Sequence, residues 1–183
     1  MSFPKPYADA VAKLRVPGGF VLVAAFIWFA QPSWKSLAVG LPISLLGLAL
    51  RAWAAGHLEK NSTLAESGPY ARVRNPLYLG TLTVAAGLVV AASRWELGVL
   101  FAAFFLLIYL PVVELEEQHL RSLFSGFDAY ARRVPQLFPK LGSVQGGRKK
   151  FQWWLYKKNR EYEAAGGFLL GTAILIVKAL FSR

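Results

Sequence analysis

The sequence predicts an all-α integral membrane protein with about five transmembrane helices. Hydrophobic residues occupy 55% of the 183 positions, aromatic residues occupy 14%, and the mean hydropathy is +0.40, which is too apolar for a soluble domain of this length. A helix needs roughly 20 mostly apolar residues to cross a bilayer. The five stretches that approach this requirement are residues 16–30, 37–56, 77–92, 95–113 and 164–181.

The first of these stretches is short and opens with Pro17-Gly18-Gly19, so we expect it to tilt, to draw in flanking residues or to fall short of a full crossing. Spans three and four are separated by little more than Ser93-Arg94 and should form an antiparallel hairpin. The start of span three at Pro76 is then expected to lie near the end of span four.

The net charge of +11 is unevenly distributed between the connections. Basic residues cluster before span one, around the loop after span two and throughout residues 114–163, whereas the alternate connections carry only Lys35 and Arg94. The positive-inside rule therefore places the N-terminus, the loop from Gly68 to Pro76 and residues 114–163 in the cytoplasm, with the C-terminus on the opposite side. This pattern explains the charge without a nucleic-acid partner, and we expect none.

The loop before span three carries the most informative motif. Gly68-Pro69 predicts a turn, and Pro76 is suited to the first position of a new helix with Asn75 as its N-cap. Free backbone amides, the positive end of the helix dipole and Arg74 would then form a cradle for a carboxylate or phosphate. The alternative is an ordinary capped transmembrane helix whose arginines lie among lipid headgroups.

Three acidic residues, Glu114, Glu116 and Glu117, lie at the end of span four. Carboxylates this close to hydrocarbon usually face a cavity or a partner. Adjacent helical positions point about 100° apart, so only one of Glu116 and Glu117 is expected to line a cavity. The alternative is that they are solvated, with Glu117 pairing with Arg121.

The region after the glutamates predicts a cover and an anchor. The spacing of Leu120, Leu123, Phe124 and Phe127 predicts an amphipathic helix, and the prolines in residues 134–139 predict an extended cover over the loop. A flexible joint follows at Gly142–Gly147. Basic and aromatic residues then alternate through 148–163, which favours an interfacial anchor on membrane lipids with anionic headgroups over stacking on single-stranded nucleic acid.

Taken together, these motifs resemble the isoprenylcysteine carboxyl methyltransferase and phospholipid methyltransferase superfamily over about residues 50–139. The residues that carry the resemblance are Gly68-Pro69-Tyr70, Arg74-Asn75-Pro76-Leu77-Tyr78-Leu79-Gly80, Glu116-Glu117, Leu120, Phe124, Tyr130 and Val134-Pro135. The resemblance implies a membrane enzyme that binds S-adenosylmethionine in a cytosol-facing pocket, with a lipophilic acceptor entering from the bilayer.

The resemblance and the chemistry of the residues together give the predicted site. Arg74 would meet the cofactor carboxylate, a glutamate would meet its hydroxyls, and the face of Tyr78 would stabilise its sulfonium. The predicted cofactor-binding residues are His57, Tyr70, Val73, Arg74, Asn75, Pro76, Tyr78, Gly80, Glu116 and Glu117. The predicted catalytic residues are Arg51 and Arg74, which would orient an ionised acceptor, and Glu114, which would take a proton from an amine.

Two other functions stay open at this stage: an NADPH-dependent sterol-type membrane reductase, and a non-enzymatic lipid-binding scaffold. The chain has no cysteine and only two histidines, so we expect no metal site. The acceptor could be an isoprenylcysteine-like carboxylate, a phospholipid amine or a small lipophilic thiol.

Overall fold

The computed structural model describes residues 3–140, 142, 147 and 149–181. Within these residues the regular structure is helical, as predicted, with a 3₁₀ turn at Gly68–Ala71 and a π-helical turn at Phe105–Tyr109. The α-helices are α1 Lys5–Phe29, α2 Trp34–Ala55, α3 Pro76–Ala92, α4 Trp95–Phe104, α5 Leu110–Leu123, α6 Phe127–Arg133, α7 Trp153–Lys158 and α8 Tyr162–Phe181.

Four helical stretches in the described part of the chain are long and apolar enough to cross a membrane: Lys5–Phe29, Trp34–Ala55, Trp95–Leu123 and Tyr162–Phe181. The third of these runs without interruption through α4, the π-helical turn and α5. Helix α3 is equally apolar but has 17 residues, so its length of about 25 Å is less than the roughly 30 Å of a bilayer core. The chain is therefore an all-α integral membrane protein whose span three is short.

The helix ends differ from the predicted ones at two places. Helix α1 begins at Lys5 rather than at residue 16, because the charges of Lys13 and Arg15 lower the local hydropathy without ending the helix. The prediction of an unbroken amphipathic helix through Phe127 is wrong, since α5 ends at Leu123 and a turn at Gly126 precedes α6. Of the predicted joint, residues 143–146 lie outside the described residues.

Contacts divide the chain into two compact units. The first unit comprises Met1–Pro42, Ala85–His119 and Leu170–Arg183, and the second unit comprises Ile43–Val84 and Leu120–Leu169.

The first unit is held by small apolar residues and by side chains that reach helix ends. Its cluster of buried residues consists of Ala30, Leu37, Ala91, Ala92, Leu97, Leu175 and Ala179. The backbone amide of Gln31 donates to the carbonyl of Ala92 at 2.8 Å. Lys178 Nζ donates to the carbonyls of Ile27 at 2.7 Å and Trp28 at 3.1 Å, which are among the last carbonyls of α1 and have no partner within that helix.

The hairpin predicted for spans three and four is confirmed in this unit. Helix α3 ends at Ala92 and α4 begins at Trp95, with Ser93 at φ +55° in the connection. A Cβ atom placed on Gly98 of α4 would lie 3.1 Å from the side chain of Val89 on α3, so the two helices touch close to their connection.

The second unit brings α2 and α3 into backbone contact. A Cβ atom placed on Gly47 would lie 2.7 Å from the carbonyl oxygen of Gly80, and one placed on Gly80 would lie 2.5 Å from Cγ of Arg51. Ser44 Oγ donates to the carbonyl of Val84 at 2.9 Å. Such close packing through small residues is common between membrane helices, and it fixes the part of α3 that follows the predicted loop.

Candidate functional site

The predicted turn at Gly68-Pro69 is present in the second unit. Gly68 has φ +60°, a backbone conformation that residues with a Cβ atom rarely adopt. The 3₁₀ turn that begins at Gly68 ends at Ala71. The hydroxyl of Tyr130 on α6 donates to the carbonyl of Tyr70 at 2.8 Å, and both tyrosines are buried. Tyr130 therefore fixes the turn to α6, a structural role that sequence reasoning did not assign to it.

Residues 134–139 lie beside this loop in a non-helical conformation, as predicted for the cover. The backbone amide of Arg74 donates to the carbonyl of Pro135 at 2.8 Å, and that of Asn75 donates to the carbonyl of Gln136 at 3.2 Å. Helix α3 begins at Pro76, as predicted. The backbone amides of Arg74 and Asn75 therefore hold the cover in place.

Arg74 is tied to α6 and to the cover. Its Nη1 donates to the carbonyls of Ala131 and Val134, both at 2.8 Å. A cation at the C-terminal end of a helix stabilises the carbonyls that lack partners there. The observed contacts of Arg74 are therefore those of a residue that positions the cover over the loop.

Arg51 has a partner that the sequence did not indicate. Its Nε donates to Oε2 of Glu161 at 3.0 Å, and its Nη2 donates to Oε1 at 2.8 Å, in a two-pronged ion pair. Its Nη1 donates to Thr81 Oγ1 and to the carbonyl of Leu77. Four of the five N–H groups of Arg51 are thus engaged by the protein, and its predicted role in orienting an acidic acceptor stays a prediction.

His57 packs as a structural residue at the end of α2. Its Nδ1 lies 2.9 Å from the carbonyl of Trp53 and must carry the proton of that hydrogen bond, because a carbonyl can only accept. Its ring meets those of Trp53 and Phe151 edge-on, and a Cβ atom on Gly68 would lie 2.7 Å from it. The His57 ring thus packs against the turn at Gly68.

The other predicted cofactor residues of the loop differ in accessibility. Val73 is 2% exposed and Pro76 is fully buried, so both pack within the protein. Tyr78 is half-buried. The absence of a side chain at Gly80 lets α2 and the aliphatic part of Arg51 pack against it. The space beside Gly80 is therefore filled by protein atoms.

Ser67, next to this turn, has a buried hydroxyl oxygen with no hydrogen-bond partner among the described residues. Buried polar groups are nearly always paired. Sequence reasoning did not single out Ser67, because a serine in a loop carries no distinctive spacing.

The three predicted glutamates belong to the first unit. Glu114 Oε2 accepts from the backbone amide of Phe3 at 3.3 Å. Glu116 lies 3.5 Å from Arg15, and half of its side chain is exposed. Glu117 is buried, with 8% of its surface exposed. Glu117 is therefore the inward-facing member of the pair, and its predicted contact with a cofactor stays a prediction.

The basic and aromatic segment forms the exposed helix α7. Trp153 and Trp154 are 70% and 50% exposed, and Lys158 Nζ lies 5.3 Å from the ring centre of Trp154. The pKa of Arg160 is raised above its usual value, first by its hydrogen bond to Tyr162, so this residue remains a cation. These features suit a membrane interface, and the predicted binding of anionic lipid stays a prediction.

Comparison with known proteins identifies the family. The phospholipid methyltransferase family profile matches residues 18–126, more than half of the chain, including the loop motif and the glutamates. The chain belongs to the phospholipid methyltransferase family. The resemblance read from the motifs is thereby confirmed, and membership favours methyl transfer over a reductase. No solved structure matches the chain.

Two relatives of this family member carry names that refer to metal resistance. The cobalt-zinc-cadmium resistance protein CzcN of Cupriavidus metallidurans is 36% identical over 141 residues, covering 72% of this chain and 64% of that protein. The nickel-cobalt-cadmium resistance protein NccN of Alcaligenes xylosoxydans xylosoxydans is 33% identical over 135 residues, covering 69% and 63%. The match thus spans less than two thirds of either relative. Among residues 3–140, 142, 147 and 149–181, no group of three His, Cys, Asp or Glu side chains is placed to hold a metal ion.

Proposed function

We propose that this protein transfers a methyl group from S-adenosylmethionine to a lipophilic acceptor at the cytoplasmic face of the membrane. The observation that carries the proposal is the family match over residues 18–126. The positive-inside pattern supports the cytoplasmic face, and the membrane-spanning helices support an acceptor that arrives from the bilayer.

The loop residues fit the cofactor in part. Half-buried Tyr78 offers an aromatic face for a sulfonium. Glu117, which is buried and ionisable, is proposed for the ribose hydroxyls on the strength of the resemblance. Arg74 already bonds to backbone carbonyls, so its proposed contribution is to hold the cover in place.

S-adenosylmethionine supplies a methyl group that is already activated by the positive sulfur. In the transfer, the S–CH₃ bond would break as the acceptor's heteroatom forms a bond to the methyl carbon, leaving a neutral thioether. An amine acceptor would also pass a proton to a base, for which Glu114 or a neighbouring glutamate is the candidate. The protein's task is to align the two reactants. The bonds from Arg74 and Asn75 to the cover would keep water away from the loop.

The test is equilibrium binding of S-adenosylmethionine, S-adenosylhomocysteine and NADPH to the detergent-purified protein. Glu117→Gln should weaken binding of both adenosyl ligands by about tenfold, because a charge-assisted hydrogen bond contributes roughly 1.5 kcal/mol or more. The matched control is Glu96→Gln, which changes an exposed glutamate paired with Arg94 and should leave affinity unchanged.

Two other results would displace the proposal. Binding of NADPH alone would indicate a reductase, and binding of none of the three would favour a lipid-binding scaffold. Equal affinities for wild type and Glu117→Gln would remove Glu117 from the site while leaving the methyltransferase assignment intact.

The names of the two relatives favour a role in metal resistance. We propose that the methylated product contributes to tolerance of divalent metal ions. A strain lacking the gene should grow less well in cobalt, zinc or cadmium and should regain tolerance with the wild-type gene but not with Glu117→Gln. Equal growth of all strains would argue against this context without bearing on the reaction.

A further inference from the structure

The second unit contains a cavity of about 270 Å³ that the loop motif does not use. One wall is a single face of α2, formed by Leu45, Leu48, Ala49 and Ala52, which follow the i, i+3, i+4, i+7 spacing of a helix. The opposite wall includes Tyr156 and Ala165. Most of the lining is therefore hydrocarbon.

The charged part of the lining lies at one end. Glu161 lines the cavity although only 9% of its surface is exposed. Glu161 directly precedes α8, and Ala52 lies in the last turn of α2. Because Arg51, next to Ala52, bonds to Glu161, Ala52 and Glu161 lie at the same end of the cavity. Leu45 lies seven residues before Ala52 on α2, about 10 Å away. The cavity thus has the polarity of an amphiphile, with a carboxylate at one end and alkyl groups at the other.

Arg51 connects this polar end to the candidate site. The guanidinium that holds Glu161 also bonds to the carbonyl of Leu77 and to Thr81 in the first turns of α3. Tyr78 of the predicted cofactor loop lies between these two positions in the sequence. A molecule whose polar group contacts Glu161 is therefore separated from the start of α3 only by the side chain of Arg51.

We propose that the cavity binds the hydrocarbon chain of the methyl acceptor, with the acceptor's polar group at Glu161; this rests on the function proposed above. Each carboxylate oxygen of Glu161 accepts one bond from Arg51 and retains a lone pair, so the polar group is one that donates a hydrogen bond. An ionised carboxylate acceptor is disfavoured there by repulsion. Glu161 and the lining of α2 are positioning residues in this scheme.

The direct test is photolabelling with two single-chain probes that carry a diazirine in the chain, one a fatty amine and the other a fatty acid of the same length. The amine should label peptides containing Leu45 and Leu48 more strongly than the acid. Ala52→Leu and Ala165→Leu fill the cavity from opposite walls. Each should reduce that labelling about fifteenfold, because displacing roughly two methylenes weakens binding about fourfold for each.

The matched control is Ala103→Leu, the same substitution at an exposed position of α4 outside the cavity. It should leave labelling unchanged. Equal labelling in all four proteins, or an equal loss in the control, would show that the probe samples the protein's lipid-facing surface and would overturn the proposal. The two cavity variants lie on different helices, so if one of them misfolds the other still tests the proposal. Thermal unfolding of each variant shows whether it is folded.

The outcomes separate this inference from the proposed function. If S-adenosylmethionine does not bind, the methyltransferase assignment fails, and selective labelling still supports a lipid-chain site. If methyl transfer occurs, Ala52→Leu should shift the preferred acceptor to shorter chains by raising KM for long ones with little change in kcat. An unchanged chain-length profile in an active variant would overturn the inference alone.

Discussion

Breaking the Arg51–Glu161 ion pair should be among the most destabilising polar changes in the second unit. The pair joins α2 to the start of α8 by two charge-assisted hydrogen bonds of 2.8 and 3.0 Å. The side chains are 22% and 9% exposed, so water compensates little when one partner is removed. The perturbation is a double-mutant cycle of Arg51→Met, Glu161→Leu and the combined variant.

The expected loss of unfolding free energy follows from the burial of the pair. Removing one partner of a fully buried pair costs about 3–5 kcal/mol, and the partial exposure of Arg51 favours the lower end, about 3 kcal/mol for either single variant. The double variant leaves no uncompensated charge and should lose less than the sum of the two single losses. We expect a coupling energy of about 2 kcal/mol.

The assay is reversible unfolding in mixed detergent micelles with increasing dodecyl sulfate, followed by tryptophan fluorescence. The control is the same cycle on Arg133 and Glu66, which lie 3.2 Å apart with side chains 50% and 36% exposed. That exposed pair should show a coupling of about 0–1 kcal/mol. A coupling for Arg51 and Glu161 no larger than that of the control pair would refute the reasoning.

Two further predictions concern the loop before α3. Tyr130→Phe removes the bond to the carbonyl of Tyr70 and should destabilise the protein by about 1–3 kcal/mol in the same unfolding assay, because a buried carbonyl loses its partner; no loss would mean that water replaces the hydroxyl. Gly68→Ala should cost about 2 kcal/mol, from its positive φ and the overlap with His57, whereas Gly126→Ala, where a Cβ atom meets nothing within 4 Å, should be neutral.

Much of the fold could be predicted from local patterns. The apolar stretches located all the long helices, and Gly68-Pro69 and Pro76 located the turn and the start of α3. The start of α1 could not be found in this way, because hydropathy measures preference for lipid rather than helix formation. The break before Phe127 was missed because the spacing of apolar residues continues across it. Leu120, Phe124 and Phe127 still pack into one cluster with Tyr130 and Val134, whereas Leu123 is exposed.

The contacts of the candidate site were less predictable. Arg51 and Glu161 are 110 positions apart, and no local spacing connects them. Arg74 bonds to backbone carbonyls, which every residue possesses and which therefore leave no signature in a sequence. Residue type indicated that these arginines needed partners, but only the packing of helices and cover determines which partners they meet.

The bonds from Lys178 to the end of α1 bear on how the protein is made. A ribosome releases α1 long before it reaches residue 178, so the carbonyls of Ile27 and Trp28 must wait for almost the whole chain before that lysine can bond to them. Helix α1 is thus completed only once α8 has been made. A chain truncated before α8 would leave the end of α1 without this partner, which gives a quality-control system a means of recognising unfinished protein.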